Sequence, residues 1–197
     1  LTLKGNPGPR FFFENRDFFS ELPNVFCVTD PDLRFNSQLP EKFLSSLFDL
    51  TEELGIWKAG FALDISGELR EEAFFFGGRW TTIKDWERQF WQEPVVNRQN
   101  LEVYAAQLDT TFALYNKALL GEGSFFSAVR VAGNFTATHL PWKPNYGLKK
   151  AFGEEGKGVR KHSNWSQEAT VQNLSAAHRR LEKTLKEMEA SWSWKVT

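Results

Sequence analysis

Apolar residues follow two patterns in the first third of the chain, and each pattern predicts an element. Continuous apolar runs rich in β-branched or aromatic residues occupy 25–29 and 57–65, and each predicts a short buried strand. The segment 40–54 between them predicts a helix, with Pro40 in its first turn and Gly55 as its stop. Its apolar residues recur at helical spacing, at Phe43, Leu47, Leu50 and Leu54. Because strand, helix and strand follow in this order, we expect a right-handed crossover and parallel pairing of the two strands.

Further along, the pattern alternates again between helix and strand. The segment 81–91 predicts a short helix that is capped by Thr82. The segments 102–116 and 125–131 are strand-like, and 135–142 follows as a last core segment. This alternation is typical of an α/β fold.

The end of the chain carries a heptad pattern between 164 and 191. Its apolar stripe consists of Val171, Leu174, His178, Leu181, Leu185 and Met188. The pattern predicts one long amphipathic helix, so we divide the chain into a domain at 1–160 and a helical segment at 161–197. The helix packs either on its own domain, which is the commoner arrangement, or on a second copy in a homodimer.

Composition excludes several classes of protein. With 41% hydrophobic and 25% charged residues the chain is typical of a globular protein, and its net charge of -1 gives no electrostatic case for a nucleic-acid partner. No apolar run is long enough to span a membrane and no signal segment is visible, so we expect a cytoplasmic protein. The single cysteine, Cys27, lies inside an apolar run and is predicted to be a small core residue. Aromatic residues make up 15% of the chain, and exposed tryptophan would suit sugar binding.

Asp30 and Asp32 follow the first predicted strand with one proline between them. Open α/β sheets bind their ligands at the carboxyl ends of strands, and Pro31 fixes the turn so that both carboxylates can point the same way. Two like charges held together favour a bridging cation, and Mg²⁺ or Mn²⁺ prefers such oxygen ligands. The alternative is a solvated turn ahead of the next helix.

Five blocks of sequence give this pair a context. They are VTDPDL at 28–33, GFALDI at 60–65, WERQFW at 86–91, LDTTFALY at 108–115 and HLPW at 139–142. Together they resemble, over about residues 5–142, a group of bacterial glycosyltransferase-like proteins of the family-two type. The resemblance implies a GT-A-like α/β fold, a mixed sheet flanked by helices, and metal-dependent transfer of a sugar from a nucleoside diphosphate to an acceptor hydroxyl.

The same resemblance implies roles for individual residues. Asp32 would bind the divalent metal, Mn²⁺ or Mg²⁺, and Asp30 would contact the metal or the ribose of the nucleoside-diphosphate sugar. His139 would be a third metal ligand, the alternative being a hydrogen-bonded loop histidine. Asn6 and Arg10 match a loop in which an arginine reaches the nucleotide phosphates.

Two carboxylates are candidates for the general base of such a reaction. Asp109 precedes two threonines and would accept the proton of the acceptor hydroxyl, or would simply cap the Thr110–Thr111 turn. Glu87 is the rival and is predicted to lie on a helix face away from the buried stripe, where a solvated glutamate is the commoner case.

The chain departs from the group at its beginning. In the group a further β-α-β segment precedes the Asn-x-Gly loop and holds much of the nucleotide base, whereas this chain starts just before that loop. The expected fold is therefore trimmed at the N-terminus, and Asp30 and Asp32 form one half of a donor pocket. The alternatives are a non-catalytic carbohydrate-binding or assembly module on the same fold, and a nucleotidyltransferase.

Overall fold

The computed structural model describes residues 8, 10–71, 73–76, 79–121, 125–144 and 146. They form an α/β fold with a mixed sheet flanked by helices. The helices are α1 (Phe11–Glu14), α2 (Arg16–Glu21), α3 (Phe43–Leu54) and α4 (Ile83–Arg88). The strands are β1 (Val25–Val28), β2 (Leu33–Phe35), β3 (Lys58–Phe61), β4 (Phe74–Phe76), β5 (Arg79–Thr81), β6 (Val103–Ala105), β7 (Ala113–Asn116), β8 (Val129–Val131) and β9 (Ala137–His139). Asn6 and the predicted helix at 164–191 lie outside the described residues.

Helix α3 confirms the prediction made from its apolar spacing. It begins at Phe43, so Pro40 lies ahead of the first turn and not in it as predicted, and it ends at Leu54, where Gly55 closes it in the left-handed conformation with φ of 61°. Leu47 and Leu50 are fully buried against the sheet. Helix α4 is also confirmed, because the Thr82 hydroxyl accepts the Asp85 amide at 3.1 Å as an N-cap.

The central sheet has the strand order β1-β7-β3-β8-β6. Strand β7 runs antiparallel to both β1 and β3, and β3 runs parallel to β8. The predicted direct pairing of the first two strands is therefore wrong. They run in the same direction, but β7, which comes much later in the chain, lies between them.

Strand β1 lies at an edge of this sheet rather than inside it. Its residues alternate between exposed and half-buried, and Val25 is 39% exposed. Cys27 is exposed as well, so the prediction of a core cysteine is wrong. The continuous apolar run predicts a buried strand, whereas this edge strand is covered on one face by α1 and α2 and leaves the other open.

The predicted strand at 102–116 is two strands. Strand β6 pairs with β8 at the far edge, whereas β7 joins β1 and β3, and residues 106–112 connect them as a loop. A separate two-stranded sheet pairs β2 with β9 and sets Leu33 opposite His139. These two arrangements determine which side chains meet at the candidate site.

Each face of the central sheet has its own apolar layer. Helix α3 covers one face, where Leu50 packs with Ala59 and Phe61. Helices α1 and α2 cover the other, where Phe12 packs with Tyr115. Across the described ranges, every helix is too short or too polar to cross a bilayer.

Candidate functional site

Three segments of the chain meet beyond the carboxyl end of β1: the loop after β1, the loop before β7, and strand β9. Because β7 is antiparallel to β1, the start of β7 lies beside the end of β1, with Ala113 opposite Val28. The loops that flank this pair carry Asp30 and Thr110, and the Thr110 hydroxyl donates to Asp30 Oδ2 at 3.3 Å. This hydrogen bond joins the loop of Asp30 and Asp32 to the loop that carries Asp109.

Asp32 and His139 come together through the β2–β9 pairing. Leu33 lies opposite His139, and the Leu140 amide donates to the Asp32 carbonyl at 2.9 Å. His139 Nε2 lies 3.5 Å from Asp32 Oδ1, and the two side chains are only 10% and 16% exposed. Among the described residues, neither Asp32 Oδ1 nor His139 Nδ1 has a hydrogen-bond partner. A buried carboxylate oxygen without a donor is costly, so Asp32 Oδ1 is free to accept a proton donor or a cation.

Burial shifts the charge state of this corner. It lowers the pKa of His139, so the imidazole is neutral and keeps a lone pair, although the negative charge of Asp32 acts in the opposite direction. Burial is also the main reason that the pKa of Asp30 is raised to about 7, and the charge of Asp32 adds to it. The corner therefore favours a proton or a cation beside its carboxylates.

Asp32 and His139 together offer donor atoms of the kinds that a divalent cation takes. Carboxylate oxygen and neutral imidazole nitrogen suit Mn²⁺ and related ions. The 3.5 Å between Asp32 Oδ1 and His139 Nε2 is long for a hydrogen bond but close to the spacing of two neighbouring ligands. Within the described residues, no three side chains of His, Cys, Asp or Glu gather closely enough to hold a metal alone, so Asp30 does not complete a triad. A cation here would need further oxygen atoms from a ligand or water.

Asp109 and Arg10, predicted as a base and a phosphate-binding residue, bind each other. Arg10 Nε donates to Asp109 Oδ1 at 2.9 Å, and Arg10 Nη2 donates to Asp109 Oδ2 at 2.6 Å. The two side chains are 38% and 37% exposed, and the guanidinium lies over the Phe126 ring. The pair is therefore open to solvent, so a bound anion can compete with Asp109 for Arg10.

Glu87 is buried, and the expectation of a solvated glutamate is wrong. It is 2% exposed and its carboxylate accepts a hydrogen bond from Arg130 of β8, which is 4% exposed. On α4 it shares its face with Ile83, which is also buried. The α4 sequence alone does not show this, because the partner lies on a distant strand. The geometry favours a structural ion pair over a proton-accepting role for Glu87.

Lys58 is a residue that the sequence analysis did not single out. It opens the central strand β3 and is 0% exposed. Its ammonium donates to the carbonyl of Leu108, the residue before Asp109, at 2.6 Å, and it lies 4.1 Å from the centre of the Phe125 ring. A lysine inside the apolar run 57-WKAGF-61 was the available signal, because buried lysine is rare.

The buried Lys58 predicts a pH-dependent stability. Burial lowers its pKa to about 7 from 10.5, so between these values the unfolded chain binds one proton that the folded chain does not. The free energy of unfolding contributed by Lys58 therefore rises with pH over this range. We expect the free energy of unfolding of the unchanged chain minus that of Lys58→Met, measured by urea unfolding, to increase from pH 7 to pH 10. A constant difference would contradict the lowered pKa.

Comparison with protein-family models, with curated proteins and with solved structures finds no significant match for this chain in any of the three. The GT-A-like assignment therefore stays a prediction. The structure itself gives a mixed α/β sheet with a polar corner formed by Asp30, Asp32 and His139, next to the Arg10–Asp109 pair.

Proposed function

We propose that the chain is a divalent-metal-dependent glycosyltransferase domain, GT-A-like in fold, that moves a sugar from a nucleoside diphosphate to an acceptor hydroxyl. The observation that carries this proposal is the buried Asp32–His139 pair, whose facing atoms lie 3.5 Å apart and whose Asp32 Oδ1 has no donor among the described residues. Two protein ligands leave coordination positions for diphosphate oxygens, as such a donor would supply.

Each residue of the corner has a part in this proposal. Asp32 and His139 would hold the cation, which neutralises the charge of the leaving diphosphate. Asp30 lies beside them, held by Thr110, and would bind either the cation or a ribose hydroxyl. Burial keeps His139 neutral, so the site does not lose its nitrogen ligand to a proton near neutral pH.

Arg10 and Asp109 would act on the two reacting groups. The exposed Arg10 guanidinium would bind the phosphates of the donor, because a bidentate contact to phosphate resembles the one it makes to the Asp109 carboxylate. Exchange of Arg10 to the phosphates would free Asp109, which would then accept the proton of the acceptor hydroxyl. In the pair as it stands both Asp109 oxygens accept from Arg10, so its role as a base depends on this exchange.

The proposal predicts that Asp32→Asn abolishes metal-dependent binding of a nucleoside diphosphate. Removing the anionic ligand should weaken Mn²⁺ binding by about 100-fold or more, since changes to residues that only support ligands already cost 10- to 100-fold. Calorimetric titration of the chain with Mn²⁺, and then with UDP or GDP in its presence, measures the effect.

Asp49→Asn is the matched control, because Asp49 is exposed on α3 outside the corner. It should bind as the unchanged chain does. An unchanged chain that binds no Mn²⁺, or an Asp32→Asn variant with full affinity, would contradict the proposal. With a nucleotide-sugar donor, release of nucleoside diphosphate supports glycosyl transfer, whereas release of pyrophosphate would indicate a nucleotidyltransferase.

A further inference from the structure

The carbonyl groups of three consecutive residues, Gln107, Leu108 and Asp109, accept hydrogen bonds from side chains of the central sheet. The contacts are Arg130 Nε to the Gln107 carbonyl at 2.7 Å, Lys58 Nζ to the Leu108 carbonyl at 2.6 Å, and the Tyr115 hydroxyl to the Asp109 carbonyl at a longer 3.4 Å. The donors come from β8, β3 and β7, three adjacent strands. Side chains of three sheet strands thus hold the main chain of the loop that carries Asp109.

Of the two cationic donors, Arg130 has a carboxylate partner in direct contact and Lys58 does not, among the described residues. Arg130 pairs with Glu87, but among the described residues no carboxylate forms an ion pair with Lys58. Its ammonium hydrogen bonds go to the carbonyls of Leu108 and Phe125. Burying an ammonium that no carboxylate contacts is unfavourable, although the charge of Asp109 favours it from a distance, and a methionine would fill the same space without that cost. Holding these carbonyls is therefore the role that explains a lysine at this position.

The space above β3 shows how closely the loop depends on this strand. Gly60, two residues after Lys58 on the same face, lies so near the loop that an added Cβ would be 2.7 Å from Leu108 Cδ2. Gly60 therefore allows the loop to lie close against β3, and Lys58 holds it there through the Leu108 carbonyl. On the other side, Arg10 holds the Asp109 carboxylate itself.

We propose that Lys58 is a positioning residue for Asp109: it fixes the Leu108 carbonyl and thereby the place from which the Asp109 carboxylate reaches the acceptor hydroxyl. The inference rests on the proposed function for the role of Asp109. Its structural part, the fixing of the loop by Lys58, can be measured without any activity. A carboxylate displaced by about 1 Å can lose 100-fold in rate, so a buried donor can affect catalysis without touching substrate.

Lys58→Met tests the inference, and Lys117→Met is its matched control. Lys117 Nζ also donates to backbone carbonyls, which are those of Phe19, Ser20 and Leu22 at the end of α2. None of these hydrogen bonds goes to the Asp109 loop. Both changes remove an ammonium that satisfies main-chain oxygens. Only the first should act on residues 107–112.

The first readout is amide hydrogen exchange measured by mass spectrometry. We expect Lys58→Met to speed exchange in peptides covering 107–113 by about tenfold, as loss of a hydrogen bond to a charged group implies, and Lys117→Met to speed it only around α2. Equal exchange in 107–113 for both variants would overturn the inference. If Lys58→Met does not fold, Lys58→Gln, which keeps a donor on a shorter side chain, should show the same selective effect.

The second readout is the split between kcat and KM with a nucleotide-sugar donor. Lys58→Met should lower kcat by about 100-fold with KM for the donor little changed, whereas Lys117→Met should leave both values unchanged. A Lys58→Met variant with full kcat would overturn the positioning role. If the unchanged chain transfers no sugar, the proposed function fails, and hydrogen exchange alone then decides whether Lys58 fixes the loop.

Discussion

Replacing Arg130 by methionine is expected to cost about 3–5 kcal/mol of the free energy of unfolding, the usual cost of breaking a buried ion pair from one side. Arg130 is 4% exposed and is the partner of Glu87, which is 2% exposed. It also lies 3.9 Å above the Phe90 ring and donates to the Gln107 carbonyl. Methionine would fill the space but would leave the Glu87 carboxylate buried without a counter-charge. Urea unfolding at neutral pH measures the loss.

Arg98→Met is the control for this change, since Arg98 pairs with Glu53 at 3.9 Å with 86% of its side chain exposed. It should cost at most about 1 kcal/mol, as exposed ion pairs do. The double change Arg130→Met with Glu87→Leu should recover part of the loss, because it removes the stranded charge. If Arg130→Met costs no more than Arg98→Met, the buried Arg130–Glu87 pair does not stabilise the fold more than an exposed pair does, and the prediction is wrong.

Replacing Gly60 by alanine is expected to cost about 3 kcal/mol, at the upper end of the usual range for overpacking. An added Cβ would lie 2.5 Å from the Phe112 carbonyl oxygen and 2.8 Å from Ala113 Cβ. Both atoms belong to or adjoin the backbone where the Asp109 loop enters β7, so they cannot move aside as the end of a flexible side chain would. Thermal unfolding measures the loss.

Gly121→Ala is the control for the Gly60 change, because no atom of the described residues lies within 4 Å of the Cβ it would add. It should be close to neutral. A Gly60→Ala variant as stable as Gly121→Ala would mean that the loop does not lie against β3 as the structure has it. The loss should be accompanied by faster hydrogen exchange in 107–112, since the loop must shift to make room.

The sequence predicted what depends on neighbours along the chain. Helix α3 follows from apolar spacing and a terminal glycine, both of which act within a few residues, and Gly55 does adopt the left-handed conformation. The Thr82 cap of α4 is equally local. Even the apolar run of β1 was recognised as a strand, although its place in the sheet was not.

What the sequence did not predict depends on partners that are distant along the chain. The position of β7 between β1 and β3 brings Asp109 to the corner, and no local pattern in 102–116 indicates that this segment divides between the edge strand β6 and the interior strand β7. The sequence predicts Glu87 in solvent because it lies off the apolar stripe of its helix. Its buried partner, Arg130, lies 43 residues further on and cannot be recognised from that helix alone. Cys27 was expected in the core because a short apolar run does not distinguish a central strand from an edge strand.

The pairing of β7 with β1 also has a consequence for how the protein folds. The contact between Thr110 and Asp30 joins residues 80 positions apart, and that between Arg10 and Asp109 joins residues 99 positions apart. Domains dominated by such distant contacts fold slowly, because a large loop must close before the contact stabilises it. During synthesis, the β1 segment leaves the ribosome long before its partner strand exists. Its apolar edge is then exposed without a partner, and pairing with another chain is the failure to expect there.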